Sequence, residues 1–164
     1  MKPKVLIIMG SDSDLPVMEK TSKLLKEFKI PYKMTVASAH RTPDRTVQLA
    51  LEAEAEGVQV IIAGAGGAAH LAGIIAAHTT LPVIGVPINS SPLMGIDSLF
   101  STVQMPPGIP VAAMAIGNAG AKNAAIFAAQ ILQSGNPALT AKLKVYKKKM
   151  AREVLKKAKN VEKK

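Results

Sequence analysis

Five apolar segments, each followed by a helical pattern, are the feature that most limits how this chain can fold. The segments lie at residues 4–9, 32–37, 58–63, 82–86 and 110–116. Strands that are apolar along almost their whole length are typical of parallel sheets covered on both faces by crossover helices. Right-handed crossovers then predict a three-layer, doubly wound α/β fold with strand order 2-1-3-4-5, which is the flavodoxin-like arrangement.

The composition describes one globular domain. The chain has 164 residues, of which 48% are hydrophobic and 20% are charged, so it is long and apolar enough to bury a core. No internal repeat or low-complexity linker divides it. We expect a single domain over residues 1–164, with a core at 4–133 and a C-terminal lysine-rich helical extension at 137–164. The absence of cysteine excludes a disulfide scaffold, a zinc ribbon and a thiol nucleophile.

The apolar segments do not have the form of targeting or membrane signals. The run near the N-terminus is short and is interrupted by an acidic loop, unlike a secretory signal peptide. The longest apolar stretches, at 58–78 and 110–132, contain His, Gly or Asn and fit a strand followed by a helix better than a membrane span. We therefore expect a cytoplasmic protein with no membrane partner.

Positive charge is concentrated at one end of the chain. Residues 141–164 hold 11 of the 21 Lys and Arg residues but 2 of the 11 Asp and Glu residues, a balance of +9. The first 140 residues balance to +1. Apolar residues recur among these lysines at helical spacing, which favours a solvated amphipathic helix over a nucleic-acid-binding arm. Aromatic residues make up 3% of the chain, so few side chains could stack on bases, and we expect no nucleic-acid partner.

Three polar or glycine-rich loops follow the first three strands. Their sequences are GSDSD after strand 1, SAHRTP after strand 2 and GAGGAAH after strand 3. Strands 2, 1 and 3 are neighbours in the predicted order, so the loops should converge on one crevice at the carboxyl edge of the sheet. The polar side chains they bring there are Ser11, Asp12, Ser13, Asp14, Ser38, His40, Arg41 and His70.

The first two loops favour an anionic, hydroxylated ligand. GSDSD combines backbone N–H groups, hydroxyls and the start of a helix, an arrangement that suits a phosphate. Asp14 by itself fits a helix N-cap equally well. Two aspartates would repel a phosphate, and this conflict disappears if Asp14 binds ribose hydroxyls while Arg41 supplies the positive charge. His40 is of the residue type that transfers protons near neutral pH.

The third loop partly matches a dinucleotide-binding motif. Gly64, Gly66 and Ala69 fit G-x-G-x-x-A, but the match follows the third strand and lacks the acidic residue about 20 positions later. The small residues would let a ligand or another subunit approach the backbone. His70 fits a structural or a catalytic role. No metal-binding spacing and no G-x-S-x-G motif is present, so we expect a metal-free reaction centred on histidine on a small phosphorylated molecule.

Two helical segments predict self-association. The patterns at 68–78 and 119–132 contain too few polar residues to form a solvent-facing side, and helices that are apolar all round are buried. A chain of this length cannot bury several such helices by itself. We therefore expect a homo-oligomer in which Ala- and Gly-rich surfaces pack between subunits.

Taken in order, the motifs resemble those of the PurE family of carboxyaminoimidazole ribonucleotide mutases. The resemblance covers residues 4–133 and rests on GSDSDLPVM, SAHRTPDR, AGAGGAAHLAG, LPVIGVPI, GIDSLFSTVQMPPGIPVA and NAGAKNAAIFAAQIL. It implies an octamer of flavodoxin-like subunits in purine biosynthesis. The implied reaction moves a carboxylate from the exocyclic nitrogen of N5-carboxyaminoimidazole ribonucleotide (N5-CAIR) to ring carbon C4, without metal, ATP or organic cofactor. The synthetase that makes N5-CAIR is an implied further partner.

The resemblance also implies roles for individual residues. His40 would be the general acid and base, Ser11 and Arg41 would bind the 5′-phosphate, and Asp14 would bind the ribose hydroxyls. Small residues would wall a pocket for released CO2, with His70 beside it. The further site-lining residues implied are Asp12, Ser13, Ser38, Ala39, Ala65, Gly66, Ala68 and Leu71.

Two other functions remain open at this point. Relatives within the family carboxylate aminoimidazole ribonucleotide directly with CO2, and a noncatalytic nucleotide-binding module would use the same fold without needing His40. The chain also departs from the family pattern at one position, because it reads HLAG at Ala72 where the family usually reads HLPG.

Overall fold

A computed structural model of the protein describes residues 2–163. Five parallel strands form one sheet in the order β2-β1-β3-β4-β5, which confirms the predicted fold class and strand order. The strands are β1 (Val5–Met9), β2 (Tyr32–Val36), β3 (Val60–Gly66), β4 (Val83–Ile88) and β5 (Ala112–Ala113). The helices are α1 (Leu15–Glu27), α2 (Pro43–Glu56), α3 (Leu71–Ala76), α4 (Ile96–Val103), α5 (Gly117–Leu132) and α6 (Pro137–Val161).

The three central strands form the middle of the core. Every residue of β1 and β4 is buried, as are the first five residues of β3. Alternate side chains of β1 enter different apolar clusters: Val5 and Ile7 pack with α1 and α5, whereas Leu6 and Ile8 pack with α2 and α3. A strand buried on both faces must be apolar along its whole length, which explains why these segments were recognisable in the sequence.

Helices α1 and α5 pack closely together on one face of the sheet. The packed side of α5 is made of fully buried alanines, including Ala121, Ala124 and Ala128, which let the two backbones approach. Thr21 of α1 donates a hydrogen bond of 2.7 Å from Oγ1 to the carbonyl oxygen of Ala121. The other face of the sheet carries α2, α3 and α4.

The lysine-rich segment forms the long helix α6, as predicted. Leu139 and Leu143 of its first turns are buried in the same cluster as β1 and α1. Tyr146 packs edge-on against Phe28, with 5.5 Å between ring centroids. Beyond Met150 nearly every described residue of α6 is exposed, so only the first half of the helix packs on the body of the chain. Lys164 lies outside the described residues.

The expected length of the fifth strand was wrong. The apolar segment at 110–116 forms only the two-residue strand β5, paired with Ile84 and Gly85 of β4. This strand has a neighbour on one side only, and Pro110 has no N–H to donate to a ladder. Among residues 2–163, no helix combines the length and the apolarity needed to cross a membrane.

The close packing of α4 on β4 can be tested at Gly85. A Cβ at this position would overlap the Thr102 methyl group and lie 3.0 Å from Val111 Cγ1. Thr102 cannot easily turn away, because it is buried and its Oγ1 donates a 2.7 Å hydrogen bond to the Ser98 carbonyl. We predict that Gly85→Ala lowers the free energy of unfolding by about 1–3 kcal/mol, the usual cost of overpacking, as measured by urea denaturation.

Gly73→Ala is the matched control for this substitution. Its new methyl group would meet only the flexible end of the Met105 side chain, at 3.1 Å, and alanine favours the α3 helix in which Gly73 lies. The packing account is contradicted if Gly85→Ala costs no more stability than Gly73→Ala.

Candidate functional site

A cavity of about 300 Å³ opens at the carboxyl edge of the sheet, between the loops that follow β1, β2 and β3. Twelve of the thirteen site residues expected from the sequence line it: Ser11, Ser13, Asp14, Ser38, Ala39, His40, Arg41, Ala65, Gly66, Ala68, His70 and Leu71. The thirteenth, Asp12, is not among the lining residues. The structure therefore brings the loops together, while the chemical role of each residue stays a prediction.

The first loop is held by a capping box. Ser11 N–H donates to Asp14 Oδ2 at 3.1 Å, and Ser13 N–H donates to Ser11 Oγ at 3.3 Å. These bonds close a short 3-10 turn, Asp12–Asp14, directly before α1. Asp14 does occupy the residue before α1, but its carboxylate accepts from Ser11 rather than from the helix. Asp12 points outward and accepts from the Ser13 N–H at 3.0 Å.

Asp14 is a buried carboxylic acid whose pKa is raised by its surroundings. Its residue surface is 3% exposed, and burial raises the pKa of its carboxyl above the ordinary value. Hydrogen bonds from the Ser11 and Gly10 N–H groups lower this pKa, whereas the negative charge of Asp12 raises it further. Keeping a charged carboxylate at this position costs stability, which is typical of a residue retained for binding or catalysis.

The second loop presents His40 and Arg41 to solvent. Ser38 Oγ accepts from the Arg41 N–H at 3.2 Å, and the Ser38 N–H donates to Thr42 Oγ1 at 2.9 Å. These local bonds fix the turn before α2 begins at Pro43. Within residues 2–163 the Arg41 side chain has no carboxylate partner, so its guanidinium can bind an anion. Arg45, by contrast, donates to Val36 O and Thr35 Oγ1.

His40 and His70 form a hydrogen-bonded pair. Their Nε2 and Nδ1 atoms are 2.8 Å apart, and the rings lie edge to face at 80° with 4.9 Å between centroids. One ring must donate and the other accept, so the bond requires an unprotonated nitrogen in the pair. Both side chains reach the cavity. This contact favours a role in the site for His70, which the sequence left open between structure and catalysis.

Small residues form the inner wall of the cavity. Ala65 and Gly66 end β3, and Ala68 follows them. A Cβ on Gly66 would overlap Ser90 Oγ and lie 2.9 Å from Ser90 Cβ, so only glycine allows the β3 and β4 loops to meet here. The resulting wall is apolar and lies beside the two histidines.

Sequence reasoning missed two lining residues, Gly10 and Ser90. Gly10 directly follows β1, and Ser90 comes two residues after β4. Their position just beyond the carboxyl ends of neighbouring strands was an available signal, because β4 lies next to β3 in the predicted order. Among residues 2–163 no group of three or more His, Cys, Asp or Glu side chains is placed to hold a metal ion.

The chain is similar to known proteins in both sequence and structure. The family model described as AIR carboxylase, where AIR is aminoimidazole ribonucleotide, matches residues 4–153. The chain is 59% identical to the N5-carboxyaminoimidazole ribonucleotide mutase of Thermotoga maritima, over 98% of this chain and 92% of that protein. It is 60% identical to the protein of the same name from Pyrococcus horikoshii, over 98% and 90%. The crystal structure of PurE from Treponema denticola is 31% identical and superposes with a TM-score of 0.86, over 96% and 98%.

The raised pKa of Asp14 leads to a pH-dependent prediction. The Asp14 carboxyl has a higher pKa in the folded chain than in the unfolded chain. At a pH above the folded pKa, the charged carboxylate therefore lowers the free energy of unfolding. At a pH below the unfolded pKa, the carboxyl is protonated in both states and this effect is absent. Asn keeps an oxygen that can accept from the Ser11 N–H. We predict that Asp14→Asn raises the free energy of unfolding at pH 7, measured by urea denaturation, and that the gain shrinks toward pH 3.

Asp44→Asn provides the control, since Asp44 is an exposed carboxylate in the first turn of α2. Its removal should bring no gain at pH 7, because a negative charge there is favourable to the helix. A loss of stability in Asp14→Asn that is equal at both pH values would contradict the burial argument.

Proposed function

The chain belongs to the AIR carboxylase family, and we propose that it is an isomerase of purine biosynthesis, an N5-CAIR mutase. The observation that carries this proposal is the hydrogen-bonded His40–His70 pair, set between an anion-binding loop and a wall of small residues in one cavity. The names of relatives that match nearly the whole chain at about 60% identity support the same reaction.

The rim of the cavity is suited to a nucleoside monophosphate. Arg41 offers a planar guanidinium, and the capped loop at Ser11 offers a hydroxyl at the start of a helical turn, so these two groups bind the 5′-phosphate. Asp14 accepts hydrogen bonds from the ribose hydroxyls. Ser11 and Asp14 lie side by side in the first loop, so the phosphate and the adjacent ribose bind there together with Arg41, and the aminoimidazole ring extends toward His40.

Proton transfer by His40 accounts for the chemistry. The bond between the exocyclic nitrogen and the carboxylate carbon breaks, CO2 leaves, and the nitrogen takes a proton from His40. Carbon C4 of the ring then attacks CO2, and His40 takes the proton that C4 releases. The two transfers balance, so the enzyme returns to its starting state. His70 holds the His40 ring through their hydrogen bond and limits which nitrogen faces the substrate.

The wall of small residues keeps CO2 in place between the two steps. Ala65, Gly66 and Ala68 offer no polar group besides the backbone, so they favour a small apolar molecule over water. A trapped CO2 lies close to C4 and reacts without diffusing away. Leu71, which is 2% exposed, closes the wall from α3.

An exposed apolar surface supports self-association. The loop before α4 and one side of α4 carry Leu93, Met94, Ile96, Phe100 and Val103, exposed by 47% to 67%. Neighbouring apolar side chains of this size mark an interaction surface. A homo-oligomer covers them, and the family resemblance makes an octamer the expected form, located in the cytoplasm. The synthetase that forms the labile substrate is the expected enzyme partner.

Direct carboxylation is the second candidate function. It is favoured by the description of the matching family model, AIR carboxylase, and it corresponds to the second half of the mutase reaction, in which C4 attacks CO2. The two functions differ in whether CO2 comes from the substrate or from solution. A noncatalytic nucleotide-binding module would have no use for the histidine pair.

The role of His40 can be tested by substitution. We predict that His40→Asn lowers kcat for N5-CAIR by at least about 100-fold, the lower end of the usual contribution of a general acid and base, while affinity for AIR is nearly unchanged. The assay contains no metal or ATP and follows formation of 4-carboxyaminoimidazole ribonucleotide. Turnover by the variant at the rate of the unmodified chain would contradict the role of His40 as general acid and base. Absence of turnover by both proteins would contradict the mutase proposal.

Arg41 should act in binding rather than in proton transfer. We predict that Arg41→Ala raises KM by about 10-fold or more, since hydrogen bonds to charged groups contribute about 1.5–3 kcal/mol, with a smaller effect on kcat. Arg45→Ala is the matched control, because Arg45 donates to β2 and does not line the cavity. Equal changes in KM for both variants would show that Arg41 has no special place in phosphate binding.

A further inference from the structure

The loops around the cavity carry no net positive charge that would attract the anionic substrate proposed above. A nucleotide that carries a phosphate and a carboxylate has a charge of about −2.5 to −3 at neutral pH. The first loop adds two carboxylates, Asp12 and Asp14, and the second loop adds one guanidinium, Arg41. Attraction over distances longer than a hydrogen bond must therefore come from charges elsewhere on the chain.

Helix α6 is the main source of positive charge. Residues 141–164 carry a balance of +9, and the rest of the chain carries +1. The two ion pairs within the described residues are Lys23–Glu19 and Lys33–Glu56, neither of which involves α6. The positive charges of the helix are therefore not neutralised by carboxylates of the same subunit.

Contacts with α1 show the direction in which α6 runs. Near its start, Lys142 Nζ donates a 2.7 Å hydrogen bond to the carbonyl of Phe28, just beyond the end of α1. Further along, Met150 and Glu153 share a groove with Lys20, which lies in the first half of α1. The two helices are therefore antiparallel neighbours, and α6 rises toward the end of the sheet where α1 begins.

This direction brings the last turns of α6 to the level of the cavity. The 14 residues from Lys142 to Lys156 span about 21 Å, and α1 spans about 18 Å from Glu27 back to Leu15. Leu15 directly follows the Ser11–Asp14 loop that lines the cavity. The exposed lysines Lys156, Lys157 and Lys159 thus lie toward the end of the molecule where the cavity opens.

We propose that Lys156, Lys157 and Lys159 of α6 speed the association of the anionic substrate by attracting it toward the cavity. This inference rests on the proposed function, because it needs an anionic substrate. Surface charges of one sign near a binding site raise the local concentration of an oppositely charged ligand and its association rate. The lysines act through solution and do not touch the reacting atoms.

The test compares two triple variants of the same helix. In the first, Lys156, Lys157 and Lys159 are changed to Gln; in the matched control, Lys144, Lys147 and Lys148 are changed to Gln. The centres of the two sets are about 11 residues apart, or roughly 17 Å along the helix. This separation is slightly shorter than the screening length at about 20 mM salt and about twice the Debye length near 0.15 M salt. Both variants lose three charges, so a difference between them reports position.

The measured quantities are kcat and kcat/KM for N5-CAIR at about 20 mM and about 300 mM NaCl, where screening extends over roughly 20 Å and 6 Å. For the unmodified chain kcat/KM should fall with salt. The first variant should lose about threefold or more in kcat/KM at low salt, keep its kcat, and converge with the unmodified chain at high salt. The control should lose less than the first variant at low salt, because its charges lie about 17 Å farther from the cavity along the helix. A variant that carries Lys156→Arg, Lys157→Arg and Lys159→Arg should behave like the unmodified chain.

Several results would overturn the inference while leaving the proposed function standing. These are a kcat/KM that does not respond to salt, equal losses in both Gln variants, and a failure of the Arg variant to keep the rate. A change in oligomer mass in the first Gln variant, with no salt dependence in the unmodified chain, would assign the lysines to assembly. Absence of any turnover by the unmodified chain would count against the proposed function itself.

Discussion

Parallel pairing of β1 with both β2 and β3 is the constraint on which the rest of the structure depends. Parallel strands place their carboxyl ends at one edge, so three loops that are distant in sequence become neighbours in space. The 2.8 Å contact between His40 and His70 joins residues 30 positions apart, and it exists because β1 separates β2 from β3 by only one strand. A different strand order would move the two histidines apart.

The same pairing demands small residues where the loops meet. Gly66 leaves no space for a side chain beside Ser90, and Gly64 leaves none beside the buried Met18. The part of the inner wall that follows β3 is therefore made of small residues, Ala65, Gly66 and Ala68. Polar side chains line the rest of the cavity, among them Asp14, which is buried at a cost in stability and is held by the Ser11 N–H. In this account the first two loops bind the nucleotide, whereas the wall of small residues after β3 encloses CO2.

Much of this arrangement could be predicted from the sequence, for identifiable physical reasons. The central strands are apolar throughout because they are covered on both faces, so β1, β3 and β4 were recognisable. The expectation failed at β5, where an edge position and Pro110 shorten the strand. Among the site residues, Asp12 does not line the cavity, and its carboxylate accepts from the Ser13 N–H and the Ser11 hydroxyl instead. Ser90 was missed although it lies just beyond the carboxyl end of β4, because no polar motif marks it and its contact with Gly66 depends on how close β3 and β4 come. The histidine contact likewise depends on the tertiary structure.

The central claim is that the carboxylate moves within one enclosed site, and an isotope experiment tests this most directly. N5-CAIR labelled with ¹³C in its carboxylate would be converted in the presence of unlabelled bicarbonate, and the product would be analysed by mass spectrometry. The account predicts that the label is retained at the C4 carboxylate, because CO2 stays within the wall formed by Ala65, Gly66 and Ala68. Product that carries mainly unlabelled carbon would contradict it and would show that the enzyme takes CO2 from solution.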